Sequence, residues 1–303
     1  PAPARPRVPR GALAETRPGR SASDLDRAGR EKVGELGATG FVATMLDEVA
    51  WLFNLRGNDV PYNPVFFAFA IVTLDRVVLY VNDAQLSDDV RAQLQDVEVR
   101  PYTAFYDDLA ATKQRLIIGK RASFAVHEAL GAEHAQIARS ILVDMKGIKN
   151  ETEMQGFREA HLRDGVALVR YFAWLEEALA RGETITETQA ALELEAFRAQ
   201  QPDFRGLSFK TISSTGANGA IIHYEPPAKG SPAIDPASLY LCASGALVLC
   251  GTPDVPRTLH FGTPTSEQKR CFTRVLQGHI AIDRLVFPDN TTGYVIDALA
   301  RAP

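Results

Sequence analysis

Residues 209–224 read FKTISSTGANGAIIHY, and the chain goes on to YLCASGA at 240–246 and GTPDVPRT at 251–258. Short runs rich in β-branched and aromatic residues, at 211–214, 221–224, 239–241, 247–249 and 257–261, are separated by Gly, Pro and Asn, the punctuation of strands joined by turns. What precedes them has a different period. From Asn150, a fair N-cap followed by Glu151 and Glu153, the apolar residues Met154, Phe157, Leu162, Val166, Val169, Phe172 and Leu175 continue to about Arg181, and Gly182 stops the helix. Thr186 with Gln189 three residues on is a capping-box pattern that opens a second helix running toward Gln201-Pro202. Residues 266–285 return to helix. Two helices followed by a run of strands make an α+β unit, expected over residues 148–303.

Further upstream, helices and strands alternate. Leu25, Val33 and Leu36 fall on one side of a short helix, with Gly37 and Gly40 leading into a strand at 40–44. Residues 47–55 (DEVAWLFNL) are apolar at helical spacing with acids in the first turn, where they complement the helix dipole. Strands at 66–72 and 77–81 flank a hairpin at 73–76, helices fall at 88–94, 104–112 and 123–130, and extended segments at 98–102 and 116–118. This is an α/β domain, expected over residues 24–147. The first twenty residues hold five prolines, five arginines and a single acid, Glu15, so residues 1–23 are expected to be a disordered Pro/Arg-rich tail. A transit peptide would also be Arg-rich, but it would be amphipathic and Ser-rich rather than broken by proline. With no initiating Met, a processed or incomplete start is expected.

Composition excludes several classes of function. The 33 lysines and arginines against 37 acids leave a net charge of −4, so no overall basic field exists for nucleic acid or an anionic membrane. The longest uncharged apolar run, VFFAFAIVTL at 65–74, is half of the ~20 residues that span a bilayer. Three cysteines, Cys242, Cys250 and Cys271, cannot form a disulfide framework and offer no zinc knuckle, which points to a reducing, cytoplasmic compartment. Generic catalytic motifs fail on spacing. His127-Glu128 and His134 are too far apart to share one helical face as metal ligands. Gly37 and Gly40 lack the rest of a phosphate loop, and Ser213 and Ser214 lack a nucleophile elbow ahead of His223. Cys242 and Cys250 read as small buried apolar residues rather than ligands.

The segment 209–224, ending Ile221-Ile222-His223-Tyr224, is similar to a hallmark of the Xaa-Pro aminopeptidases (aminopeptidase P), metallopeptidases of the creatinase or pita-bread fold. Tyr240-Leu241-Cys242-Ala243-Ser244-Gly245-Ala246 resembles that family's strand with Asp-Ser-Gly, and 251–258 resembles its Gly-Thr-Thr-Asp-Val-Thr-Arg-Thr strand. Upstream, LDEVAWLFNLRG at 46–57 with NPVFF at 63–67 looks like the opening of the family's second domain. The resemblance is collinear from about residue 30 to 303. It implies an α/β creatinase-N-like domain followed by the first half of a pita-bread domain. It also implies the family reaction, manganese-dependent removal of an N-terminal residue that precedes proline, on proline-containing peptides.

The departures from the family pattern bear on that chemistry. The family holds two divalent metals with two Asp, one His and two Glu, hard oxygen ligands suiting manganese. The resemblance puts the first Asp at Ala243, which has no ligating atom, and the second at Asp254. The remaining ligands lie beyond Pro303, so only Asp254 of five is expected, no metal is expected in this chain, and the chain is expected not to hydrolyse peptides. Cys242 is no substitute, because neighbouring residues on a strand face opposite ways. Pro253 and Pro256 each remove a backbone donor, which confines their strand to an edge or a bulge. His223 takes the place of a family histidine that contacts substrate near the scissile bond; the alternative is a strand histidine satisfied by backbone or water. Half a pita-bread domain would leave a strand edge and an apolar face open, so a second copy or another partner is expected to cover it. Two rivals stand beside this reading: a peptide-binding or interaction module, and an active enzyme whose missing ligands come from another chain. Metal content separates them.

Overall fold

Phe41 and Val42, neighbours in sequence, enter two different hydrophobic cores, as strand residues do when both faces of their sheet are covered. They lie in β1 (Gly40–Ala43) of a sheet completed by β2 (Ala68–Thr73), β3 (Val77–Val81), β4 (Glu98–Pro101), β5 (Leu116–Gly119) and β6 (Ala135–Ala138). The strand order is β4-β3-β2-β1-β5-β6, with β1, β2 and β3 antiparallel and the outer pairings parallel. The computed structural model describes residues 33–303. The expected tail at 1–23 and the part of the first helix around Leu25 lie outside the described residues.

Alternation sends Phe41, Ala70, Leu79 and Ile117 to one side, against α1 (Leu46–Leu52), α2 (Asp88–Gln93) and α5 (Ile141–Gly147). Val42, Ile71, Val78 and Ile118 go to the other, against α3 (Phe105–Ala111) and α4 (Phe124–Leu130). Burial on both faces is why 65–74 is a continuous apolar run rather than an alternating one. Gly40 is fixed by close approach, since a Cβ there would sit 2.3 Å from the Val72 carbonyl oxygen. The expected hairpin forms: the Thr73 N–H donates to the Arg76 carbonyl at 2.9 Å. The Thr73 hydroxyl also donates to Asp75 at 2.6 Å, which holds that carboxyl below its ordinary range. Strand β6 and helix α5 were not expected from the sequence.

The chain divides into two compact units. The first runs through Gly165 and adds Gln201–Phe209 and Ala246–Pro253; the second comprises Val166–Gln200, Lys210–Gly245 and Asp254–Pro303. Helix α6 (Glu151–Ala180) starts in the first unit, where Asn150 and Glu153 cap each other reciprocally at 2.9 Å in both directions. Gly182, at φ +78°, ends the helical run. Helix α7 (Glu187–Ala199) opens with the expected capping box of Thr186 and Gln189. In the second unit β9 (Leu239–Val248) pairs antiparallel with β8 (Ile212–Thr215) and with β10 (Asp254–His260). In the first, β7 (Phe204–Leu207) pairs with the end of β9. Tyr240 and Cys242 pack on Leu168, Tyr171 and Leu175 of α6 and on Ala190 and Leu194 of α7.

Two strand expectations are corrected. Residues 239–241 and 247–248 are not separate strands but parts of one, with Leu249 in the turn beyond it, because 242–246 are paired throughout with β8, β10 and β7. Residues 221–224 are not a strand at all. A 3-10 turn at Gly216–Ala220 precedes them, and His223 adopts φ +55°, so His223 is not the strand histidine that the sequence allowed. After β10 come α8 (Ser266–Asp283) and α9 (Gly293–Ala300), which touch where Gly278 leaves room for the Ala300 carbonyl. Their residues Phe272, Val275, Tyr294 and Val295 are exposed.

Candidate functional site

Register decides which side chains share a face. Residues directly opposite in an antiparallel pair point the same way, and Ala243 lies opposite both Ile212 of β8 and Pro256 of β10, while Gly245 lies opposite Asp254. Ala243 and Asp254 are therefore diagonal neighbours on one face. Tyr240, Cys242 and Ser244 are buried on the other, so the Cys242 thiol does point away from position 243. Strand β10 has no strand on its outer side among the described residues, and this edge position accommodates Pro256.

Whether this face fits a dinuclear metal follows from its donors. Ala243 offers a methyl group, Asp254 is one exposed carboxylate, and among the described residues no group of three or more His, Cys, Asp or Glu is placed to hold an ion. A lone monodentate carboxylate leaves a divalent cation almost fully hydrated. The donor set present does not fit the two-metal site that the resemblance implies.

Beneath the face, a buried polar chain fixes β8 against β9. The Tyr240 hydroxyl is 2.7 Å from the Tyr171 hydroxyl and 2.7 Å from the Ser213 hydroxyl. Burial is the main reason that both phenols sit well above their ordinary pKa, so they act as neutral donors and acceptors at any physiological pH.

A second network holds the loop that carries His223. Glu187, the first residue of α7, is fully buried. Its Oε1 accepts the Thr215 N–H at 2.7 Å and the Asn218 amide at 3.1 Å, and its Oε2 accepts the Tyr224 hydroxyl at 2.6 Å. Asn218 also donates to the Tyr224 oxygen at 3.0 Å. A buried carboxylate needs such donors, because an unsatisfied one would carry the full desolvation penalty. Burial first and the Glu187 bond second push the Tyr224 phenol up to about 12. At the base of the loop, Lys210 and Glu225 form an ion pair.

The loop lies over the same face as Ala243. A Cβ on Gly219 would be 3.5 Å from the Leu241 Cβ and 3.7 Å from the Ser214 hydroxyl, and Ser214 and Leu241 are opposite each other, two residues along from Ala243 on the same side. Asp254 thus lies on the edge strand of this side of the sheet, and the loop whose Gly219 approaches the same side goes on to His223. Among the described residues no hydrogen bond or ion pair is recorded between Asp254 and His223. His223 is exposed, as are Ile221 and Ile222 before it. Glu187, Asn218, Tyr224 and the Tyr171–Tyr240 pair were not expected from the sequence. The capping box marked the start of α7, yet nothing in its spacing said that the adjoining acid would turn inward.

Comparison with known proteins adds the lineage. Residues 1–153 match the family model of the creatinase/prolidase N-terminal domain, and residues 155–303 match that of metallopeptidase family M24. A protein of Laccaria bicolor named probable Xaa-Pro aminopeptidase P is 55% identical over 289 residues, covering 92% of this chain and 45% of that one. One of the same name from Coprinopsis cinerea is 49% identical, covering 99% and 51%. The chain therefore spans about half the length of these curated relatives. Among solved structures, the X-prolyl aminopeptidase of Caenorhabditis elegans, described as a cytosolic enzyme with a di-nuclear active site, superposes with a TM-score of 0.89 at 33% identity, over 93% of this chain and 48% of that one. The Xaa-Pro dipeptidase of Bacillus anthracis, at TM-score 0.72 and 18% identity, covers 92% of this chain and 76% of that one and shares the fold.

Proposed function

The chain belongs to the creatinase/prolidase and M24 metallopeptidase family, an α/β domain followed by pita-bread structure, and from that premise we propose that it recognises peptides with proline in second position without cleaving them by the family's metal chemistry. One observation carries the reading: Ala243 and Asp254 share the open face of β9 and β10, and only one of them bears a carboxylate. A hydroxide-generating metal pair needs several hard ligands converging from fixed positions. The support for a peptide surface is the loop itself, in which His223, Ile221 and Ile222 are exposed while its base and middle are both tied down. In this reading the loop residues bind and orient, and among the described residues no group of three or more His, Cys, Asp or Glu is placed to hold the metal that would generate a nucleophile.

Three free cysteines, Cys242 buried and Cys271 exposed among them, suit a reducing cytoplasmic compartment, and no helix among the described residues is long and apolar enough to cross a membrane. The exposed Phe272, Val275, Tyr294 and Val295 and the open edge of β10 are read as the surface that a second copy or another partner covers. Sedimentation of the purified chain above its 33.1 kDa mass would support that.

The test is titration of the 303-residue chain with an Xaa-Pro tripeptide, with and without manganese, alongside turnover and bound metal in the same sample. Binding with no turnover, at metal well below one per chain, is expected. Manganese-dependent turnover at near-stoichiometric metal would overturn the reading and mean that another chain completes the site.

A further inference from the structure

Among the described residues the Glu187 carboxylate accepts hydrogen bonds from one loop and from no cation: Thr215 donates at its start, Asn218 in its 3-10 turn and Tyr224 just past its apex. A fully buried charge serves no packing purpose that an apolar residue would not serve better. What it does here is hold both limbs of residues 215–224 to the start of α7, and α7 is itself fixed by its capping box and by the Glu187 N–H donating to Pro232 at 2.9 Å.

Between Asn218 and Tyr224 the chain runs through two turns, the Ile221 N–H donating to the Asn218 carbonyl at 3.1 Å and the Tyr224 N–H to the Ile221 carbonyl at 3.2 Å. Within the second turn His223 adopts a left-handed φ of +55°, uncommon for a non-glycine residue although histidine is among those that tolerate it, and the anchors on either side hold it there. The side chains so presented are an imidazole and two isoleucines, Ile222 being 86% exposed. Apolar groups held out into water by a strained and doubly anchored backbone gain the fold nothing. They have the form of a preorganised contact, in which ordering is supplied before a ligand arrives.

We propose that Glu187 is a positioning residue for peptide recognition, acting through Tyr224 and Asn218 to set the backbone that presents His223. The inference rests on the peptide-recognition reading above and adds to it the residues that build the recognising loop. Tyr224 is the direct link, being adjacent to His223 and bonded to Oε2. Neither Glu187 nor Tyr224 touches the peptide in this account.

A double-mutant cycle on the full chain tests it, with the tripeptide Ala-Pro-Ala as probe and calorimetry as readout. Tyr224→Phe removes two hydrogen bonds, the one donated to Glu187 and the one accepted from Asn218, leaves Glu187 with the Thr215 and Asn218 donors, and is expected to weaken binding about fivefold, more than it lowers the folded fraction at the assay temperature. In a His223→Ala background the same change is expected to alter binding less than about twofold, because its effect travels through His223. A fivefold loss that persists without His223 would overturn the proposal, since a merely structural role does not depend on which side chain sits at 223. Glu187→Gln keeps the shape of the residue but removes one acceptor and the charge, and should repeat the pattern with a larger loss. If wild type itself binds no tripeptide, the functional reading fails separately, and the resonance of the His223 ring in histidine-labelled protein then decides: a shift in Tyr224→Phe upholds positioning, and an unmoved ring sinks it.

Discussion

The two sheets of this chain bury themselves differently. In the first unit both faces of the six-stranded sheet are covered, and consecutive residues such as Leu116 and Ile117 feed separate cores. In the second, only the Tyr240–Cys242 side of β9 is packed, and the opposite side carries Ala243, Asp254 and the His223 loop. A sheet closed on both sides leaves only its strand ends and edges for ligands; a sheet closed on one side has a face left as well. Asp254 falls on the open one, and so do the departures from the family pattern at 243 and 256, whereas Pro253 lies buried just before β10.

The sharpest way to expose the contrast is truncation of the closed sheet's core. Phe105 of α3 is fully buried, stacked 4.0 Å from Phe69 and edge-on to Tyr80. Phe105→Ala should cost about 3–5 kcal/mol in denaturant unfolding, with peptide affinity unchanged in the fraction that remains folded. Exposed Thr258 on the open face should tolerate alanine within about 0.5 kcal/mol. Equal costs at the two sites would remove the distinction. Gly40→Ala comes next: its new methyl would meet the Val72 carbonyl and Leu116, at 2.3 and 2.9 Å, and relief of that overlap should cost about 1–3 kcal/mol.

The open face can be tested by addition instead. Ala243→Asp would place a second carboxylate diagonally from Asp254 on the same side of the sheet. Two like charges there favour a shared divalent ion, so manganese at about ten times its Kd should stabilise the variant by roughly 1.4 kcal/mol while leaving the parent chain's thermal midpoint unmoved. Equal responses of variant and parent to manganese would break the link drawn between position 243 and the loss of metal chemistry.

The closed sheet was largely legible in the sequence because its strands are apolar runs bounded by turn residues, and β3 and the 73–76 hairpin lie where the runs place them. Strand β6 escaped because Ala135–Ala138 is short, only partly buried and has one β-branched residue, Ile137, which is exposed. The open side was legible by motif and by alternation: the opposed directions of Cys242 and Ala243 follow from a two-residue period alone. What could not be read was the course of 221–224. Ile-Ile-His-Tyr has every local mark of a strand, and the residue that overrides it, Glu187, is 37 residues from Tyr224 in sequence. A local preference worth tenths of a kcal/mol yields to a buried carboxylate that must be satisfied.

Each unit holds a buried glutamate, and the pair supports the smallest prediction. Glu187 meets donors from Thr215, Asn218 and Tyr224, whereas the one hydrogen bond recorded to the Glu48 carboxylate is from the Ser140 hydroxyl, at 2.9 Å. Burial, partly offset by that bond, raises the Glu48 pKa above its ordinary value. The folded state therefore binds this proton more tightly than the unfolded chain does. Its contribution to stability is whole below the ordinary glutamate pKa and is lost as pH rises through the folded pKa. Carboxyls such as Asp75 and Asp235, whose pKa is lowered, run the other way, so the total curve hides the effect and a difference is needed. Glu48→Gln keeps an acceptor for Ser140 and removes the charge. Relative to wild type, its unfolding free energy should climb as pH rises above the ordinary glutamate pKa and level off once the folded-state carboxyl is ionised, by an amount smaller than any change above. The same comparison at Glu187→Gln should show loss rather than gain at pH 7, because an amide cannot accept from Tyr224 and Thr215 together without turning an N–H toward Asn218. A gain at Glu187 or a loss at Glu48 would mean that the count of donors is not what separates the two buried acids.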